Sequence, residues 1–133
     1  MVHTTQERKQ GMTNPFRDQE KFMIACEQST TEENQAQYRM YLDLIDEEVQ
    51  ELKDSTTPHD DLDALIDILV VTIGAIYSMG ADPEGAWREV MATNLAKIDR
   101  VTGKVRRRDD GKVLKPEGWT APDLKPYLHP NYQ

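Results

Sequence analysis

The sequence predicts an all-α protein: a four-helix bundle that a second subunit completes, followed by a C-terminal basic hairpin and extended arm. Three observations predict it. Apolar residues recur at spacings of three and four in four successive segments, which is the mark of helices with one buried face. Three pairs, Asn14-Pro15, Thr57-Pro58 and Asp82-Pro83, each place a capping side chain before a first-turn proline. The apolar share of 38% beside 30% charged residues is lean for a lone 133-residue monomer, so burial is expected to be completed by a partner.

Residues 1–13 are polar and mixed in charge and are read as a flexible N-terminal arm. Asn14-Pro15 then starts a first helix, with Phe16, Met23, Ile24 and Cys26 along it, that fades near Gln28. Cys26 reads as a small core residue, since no His stands near it and it has no second cysteine to pair with. A polar connection over residues 29–34 holds cap candidates for the second helix. There Tyr38, Tyr41, Leu42, Ile45, Val49 and Leu52 form one face, and the helix is expected to run to about Asp54. Thr57-Pro58 opens the third helix, apolar almost all round from Leu62 to Ile76 and broken mainly by Asp63, Asp67 and Thr72, so it must be enclosed on most sides. Gly80 is its stop, and Asp82-Pro83 opens a fourth helix with Ala86, Trp87, Val90, Met91, Leu95 and Ile98 as its buried stripe. Residues 14–103 form the helical domain. Residues 104–133 form the arm: Asp110-Gly111 between two short runs suggests a hairpin, and Pro116, Pro122, Pro126 and Pro130 keep the rest extended over the domain or a neighbouring subunit.

The net charge of −8 argues against nucleic-acid binding through phosphate neutralisation. The longest apolar stretch carries Asp63 and Asp67 and falls short of a membrane span, so a cytoplasmic protein is expected. The charge is segregated. Residues 43–67 hold ten carboxylates against Lys53 alone, whereas Lys97, Arg100, Lys104, Arg106, Arg107, Arg108, Lys112 and Lys115 gather later.

At about 100° per residue, Glu47, Glu48 and Glu51 share one arc of the second helix. Glu48 lies beside the apolar face, and Asp63 and Asp67 stand one turn apart on the third helix. Two readings stand for the glutamates: a solvated face, or ligands for a cation. Asp60 and Asp61 suit a helix N-terminus. Asp67 lies too deep in its helix for that role, so either a distant Arg or Lys reaches it or a metal ion does. Oxygen-only ligands from two helices suit Mg²⁺ or Mn²⁺, and the lack of a Cys or His cluster disfavours zinc.

Three strings in order, Leu44-Ile45-Asp46-Glu47-Glu48-Val49-Gln50-Glu51-Leu52, Asp63-Ala64-Leu65-Ile66-Asp67-Ile68-Leu69 and Asn94-Leu95-Ala96-Lys97, resemble the MazG-like, phosphoribosyl-ATP-pyrophosphatase-like family. The similarity covers about residues 16–124 and is nearest in flavour to the short type often encoded by bacteriophages. It implies an all-α, Mg²⁺- or Mn²⁺-dependent pyrophosphohydrolase, (d)NTP to (d)NMP and pyrophosphate, working as a homodimer or a dimer-of-dimers tetramer in the cytoplasm, the host's if phage-encoded. It further implies metal ligands at Glu48, Glu51 and Asp67. Asp63 replaces a family Glu whose place Ala64 takes. Glu47 and Glu48 would be catalytic, with Glu47 orienting the water, and Asn94 and Lys97 would contact phosphates. Arg108 and Lys112 join them as candidate nucleotide contacts, although the Arg106-Arg107-Arg108 run equally suits solvent or a subunit contact. Trp119 reads as a nucleotide lid or an intersubunit contact, whereas Tyr38, Tyr41 and Trp87 suit the core. A purine nucleotide such as dGTP or GTP leads as substrate. Phosphoribosyl-ATP and dUTP are the rivals, and a metal-stabilised helical interaction module is the non-enzymatic alternative.

Overall fold

A computed structural model describes residues 14–133; the arm expected over residues 1–13 lies outside them. Four helices follow in order: α1 (Pro15–Ala25), α2 (Gln35–Asp54), α3 (Pro58–Ser78) and α4 (Pro83–Leu95), with two short 3₁₀ turns, Lys125–Tyr127 and Pro130–Tyr132, near the end. Each α-helix starts where a side chain satisfies an orphan amide. Asn14 accepts from the Arg17 amide, Asn34 from Gln37, Thr57 from Asp60 and Asp82 from Gly85, and proline fills the first turn after all of these caps except Asn34. Gly80 ends α3 with φ of 72°, a left-handed conformation that costs glycine little, while its amide bonds to the Tyr77 carbonyl.

Helices α2 and α3 are the principal pair. Only residues 55–57 connect them, so α3 folds back along α2. The register is fixed at two points. The Gln37 side chain donates to Ser78 Oγ at 2.8 Å, and the Tyr41 ring lies so close to Gly74 that any Cβ there would collide with it. Moving four residues forward along α2 is thus moving four back along α3. A further seven places Glu48 opposite Asp67.

Around this pair the core is small: Met23, Tyr41, Val71, Ile73, Ala75 and Tyr77, flanked by Phe16, Tyr38, Leu44 and Ile45. The polar groups of Gln37, Ser78 and Tyr77 within this core are bonded, as low dielectric requires. Gln37 also bonds both ways with the Ser29 backbone, and the Tyr77 hydroxyl donates to the Phe16 carbonyl at 2.9 Å, tying α1 and its loop to the pair.

Several expectations need correction. Cys26 is exposed, because α1 has ended at Ala25 and Cys26 forms its C-terminal cap on the outer side. Helix α4 stops at Leu95, short of Ile98, and its stripe is poorly covered: Trp87 is 57% exposed and Leu95 58%. Helix α3 is enclosed on one side only. Ala64, Val71, Ile73, Gly74, Ala75, Tyr77 and Ser78 are buried, whereas Leu62, Leu65, Ile66 and Leu69, one stripe at helical spacing, are exposed. The basic hairpin forms as bridges rather than strands. Arg107 pairs with Val113 around Gly111, with the Arg108 amide bonded to the Lys112 carbonyl at 2.8 Å, and Ile98 pairs with Val105. No single helix among the described residues is long and apolar enough to cross a membrane.

Candidate active site

The α2–α3 register brings together carboxylates that the chain keeps apart. Glu48 sits half-buried on α2 beside Ile45 and Leu52. Its Oε2 atom is sealed from solvent and has no hydrogen-bond partner among the described residues. Desolvation therefore raises its pKa above the ordinary value, and Glu51, within hydrogen-bonding reach, raises it further, as do the charges of Asp67 and Asp63. Neighbouring carboxylates can accept hydrogen bonds but not donate them, so none relieves the orphaned oxygen unless it takes up a proton.

Among the described residues no Lys, Arg or His forms an ion pair with Glu47, Glu48, Glu51, Asp63 or Asp67. Among the described residues no distant Arg or Lys answers Asp67. Glu47 is exposed and is not one of the charges acting on Glu48. Ala64, standing where the resemblance puts a glutamate, is buried, and Asp63 beside it is exposed. A neighbouring all-oxygen donor set, with Glu48 and Asp67 half-buried and one Glu48 oxygen unpartnered among the described residues, fits a hard divalent cation. Among the described residues no three His, Cys, Asp or Glu side chains stand close enough together, as placed, to hold a metal ion.

A second group forms at the end of α4. The helix stops at Leu95, and Lys97, in the turn beyond it, reaches back to donate to Asn94 Oδ1 at 3.1 Å. Trp119, arriving from the tail, donates from Nε1 to the Thr93 carbonyl at 2.7 Å, and the Lys97 ammonium lies 5.2 Å from its ring centroid. Lys115 lies 4.8 Å from the same centroid. Asn94, Lys97 and Trp119 are thus brought together. No hydrogen bond or ion pair joins them to the carboxylates among the described residues. Arg108 is occupied elsewhere, its guanidinium on Asp110 at 2.7 Å within the hairpin, and Lys112 sits in the same turn. Sequence reasoning missed Lys115. Its signal was the Lys115-Pro116-Glu117-Gly118-Trp119 turn, in which the Trp119 amide bonds to the Pro116 carbonyl and Gly118 takes φ of 78°.

The profile of the family described as phosphoribosyl-ATP pyrophosphohydrolase matches residues 16–94, more than half of the chain. The chain belongs to this family. It is thereby a pyrophosphohydrolase acting on phosphoanhydride bonds, of the MazG-like all-α kind. The match spans α1 to Asn94, so it includes all the clustered carboxylates and ends before Lys97 and the Trp119 turn. No curated protein matched the chain.

Proposed function

We propose that this pyrophosphohydrolase cleaves a free nucleoside triphosphate, dNTP or NTP, to the monophosphate and pyrophosphate, with Mg²⁺ or Mn²⁺ as cofactor. The observation that carries this reading is the Glu48 oxygen, unpartnered among the described residues, beside Glu51, Asp67 and Asp63, none of which has a Lys or Arg paired to it among those residues. Glu48, Glu51 and Asp67 hold the metal, with Asp63 assisting from the position beside Ala64. When bound, the cation neutralises the polyphosphate and makes a nearby water more acidic. Glu47, solvent-facing on the same arc of α2, orients that water and takes its proton as it attacks the α-phosphorus in line. Asn94 and Lys97 stabilise the negative charge that builds on the departing pyrophosphate. Arg108 and Lys112, on the hairpin, contribute to the field around the nucleotide rather than to the reacting atoms.

Assembly belongs to the same proposal. A second copy covers the Leu62, Leu65, Ile66 and Leu69 stripe of α3, giving a homodimer or a dimer of dimers in which residues 14–103 are the catalytic domain and residues 104–133 the arm. A second substrate reading is favoured by one finding: the matching family is described by phosphoribosyl-ATP, whose phosphoanhydride offers the same bond.

The test is anion-exchange analysis of products from each dNTP, each NTP and phosphoribosyl-ATP, with Mg²⁺, Mn²⁺ or chelator. dGTP and GTP head the panel. Metal-dependent monophosphate and pyrophosphate from a free triphosphate, lost in Glu48→Gln, is the expected result. Turnover of phosphoribosyl-ATP alone would replace the substrate and keep the chemistry.

A further inference from the structure

Beyond the matched segment, the tail returns to α4 and builds a group that the family match does not reach. Trp119 is held by its Nε1 on the Thr93 carbonyl, and Lys97 and Lys115 place their ammonium groups 5.2 and 4.8 Å from its ring centroid. The two cations are therefore no farther apart than those two distances together allow. Each gains a modest cation–π attraction, but they repel one another. In a chain with 24 acidic and 16 basic residues, opposite charge is plentiful. Even so, neither lysine has a carboxylate within ion-pair distance among the described residues, whereas Arg17, Arg88 and Arg108 all do. Asn94 adds an amide whose Oδ1 accepts from Lys97, while its Nδ2 meets only the weak acceptor Met91 Sδ at 3.8 Å. Two ammonium groups without a carboxylate partner among the described residues, and an underused amide donor, thus gather around one indole ring, a distribution of charge that suits a multiply charged anion. Lysine suits phosphate as a point charge, and an indole edge fixed by a hydrogen bond limits how far the two lysines can wander.

We propose that Lys115 is a second phosphate-binding lysine, and that Trp119 is the positioning residue that holds it beside Lys97 to receive the pyrophosphate half of the substrate. The proposal rests on the triphosphate reading for the identity of that anion. It gives Trp119 a different role from a lid stacked on the base, because the ring already carries two cations.

Calorimetric titration of the full chain with inorganic pyrophosphate tests this without turnover. Lys115→Met and Trp119→Leu are each expected to weaken pyrophosphate binding about ten-fold, and the double variant no more than either single, because both remove the same contact. Trp119→Phe, which keeps a ring, and Lys115→Arg, which keeps a cation, should retain most of the affinity. Lys125→Met, an exposed tail lysine outside the group, should retain all of it. Unchanged affinity in Lys115→Met overturns the proposal, and so does an absence of pyrophosphate binding in the wild type. Weakened nucleoside monophosphate binding in Trp119→Leu with pyrophosphate affinity intact overturns it in favour of base stacking. Should Trp119→Leu unfold, Lys115→Met against Lys115→Arg decides alone. Lys115-dependent pyrophosphate binding by a chain that turns over no triphosphate would uphold this subsite and sink the triphosphate reading.

Discussion

Glu48 holds one oxygen sealed from solvent and unpartnered among the described residues, and that single atom has consequences for stability. Its raised pKa means that the folded state holds the proton more tightly than the unfolded chain does. The sign follows: in metal-free protein, the contribution of Glu48 to stability is greatest below the ordinary carboxylate pKa and is lost as pH rises through the raised value. Other carboxylates act oppositely at lower pH. The pKa of Glu33 is depressed by the Tyr132 hydroxyl, that of Asp99 by the Thr102 and Val101 amides, and that of Asp110 by Arg108, so each stabilises above its unfolded pKa and ceases to as pH falls. Comparing wild type with Glu48→Gln isolates the first effect. In chelator at neutral pH the variant is expected to melt a few degrees higher, since it removes a poorly solvated charge. The gap should close toward pH 4. Its turnover should fall by at least about a hundred-fold. A variant that melts lower than wild type in chelator at every pH would mean that Glu48 is answered by a donor the structure does not show. A carboxylate beside an apolar face was legible in the sequence; which atom is orphaned was not, because that depends on the facing helix.

The α2–α3 pair carries the element-scale argument. Gly74 allows the Tyr41 ring to lie against the α3 backbone, and the close approach sets the register that places Glu48 opposite Asp67. Gly74→Ala gains helix propensity but must displace a buried ring, and overpacking is expected to win, at about 1–3 kcal/mol of lost stability in chemical denaturation. Stability equal to wild type would show that α2 and α3 slide freely, and the shared carboxylate site would lose its structural basis. The stripe of Leu62, Leu65, Ile66 and Leu69 gives a second expectation. If the proposed dimer forms through this stripe, Leu65→Lys with Leu69→Lys should leave only monomer at micromolar concentration in light-scattering chromatography, while helix content by circular dichroism stays the same. Helix starts were legible because Asn14, Asn34, Thr57 and Asp82 act within one turn of their own amides. Burial was less so. Periodicity gives the phase of a helix, and Trp87 and Leu95 keep that phase, yet among the described residues they are only partly covered, Trp87 by Phe16 with ring centroids 6.1 Å apart. The stop at Leu95 was also obscure: no glycine or proline marks it, and Lys97 turns back onto Asn94 instead.

At the scale of the molecule, folding and ligand binding are linked through the segregated charge. Carboxylates on α2 and α3 repel one another in the folded state more than in the extended chain, so a cation that gathers them binds the native form and stabilises it by mass action. At about a hundred times its dissociation constant such an ion adds about 2.7 kcal/mol, which for a domain of this size raises the melting temperature by roughly 10 °C. Differential scanning fluorimetry with Mg²⁺ and Mn²⁺ against chelator is expected to show this rise in the wild type and in Lys97→Met, whose lysine belongs to the α4 group. The rise should be largely absent in Asp67→Asn, because Asp67 is the α3 residue proposed as a ligand. Equal shifts in the wild type and Asp67→Asn would mean that the ions act on the acidic surface as a whole. The separation matters because net charge alone, −8, predicts that any divalent cation stabilises somewhat by relieving repulsion. Calcium or magnesium at an exposed acidic surface would be displaced by moderate monovalent salt, whereas a site built on the sealed Glu48 oxygen should keep its shift when salt rises past physiological strength. The dependence on Asp67 and the indifference to salt together distinguish a built metal site from an acidic surface.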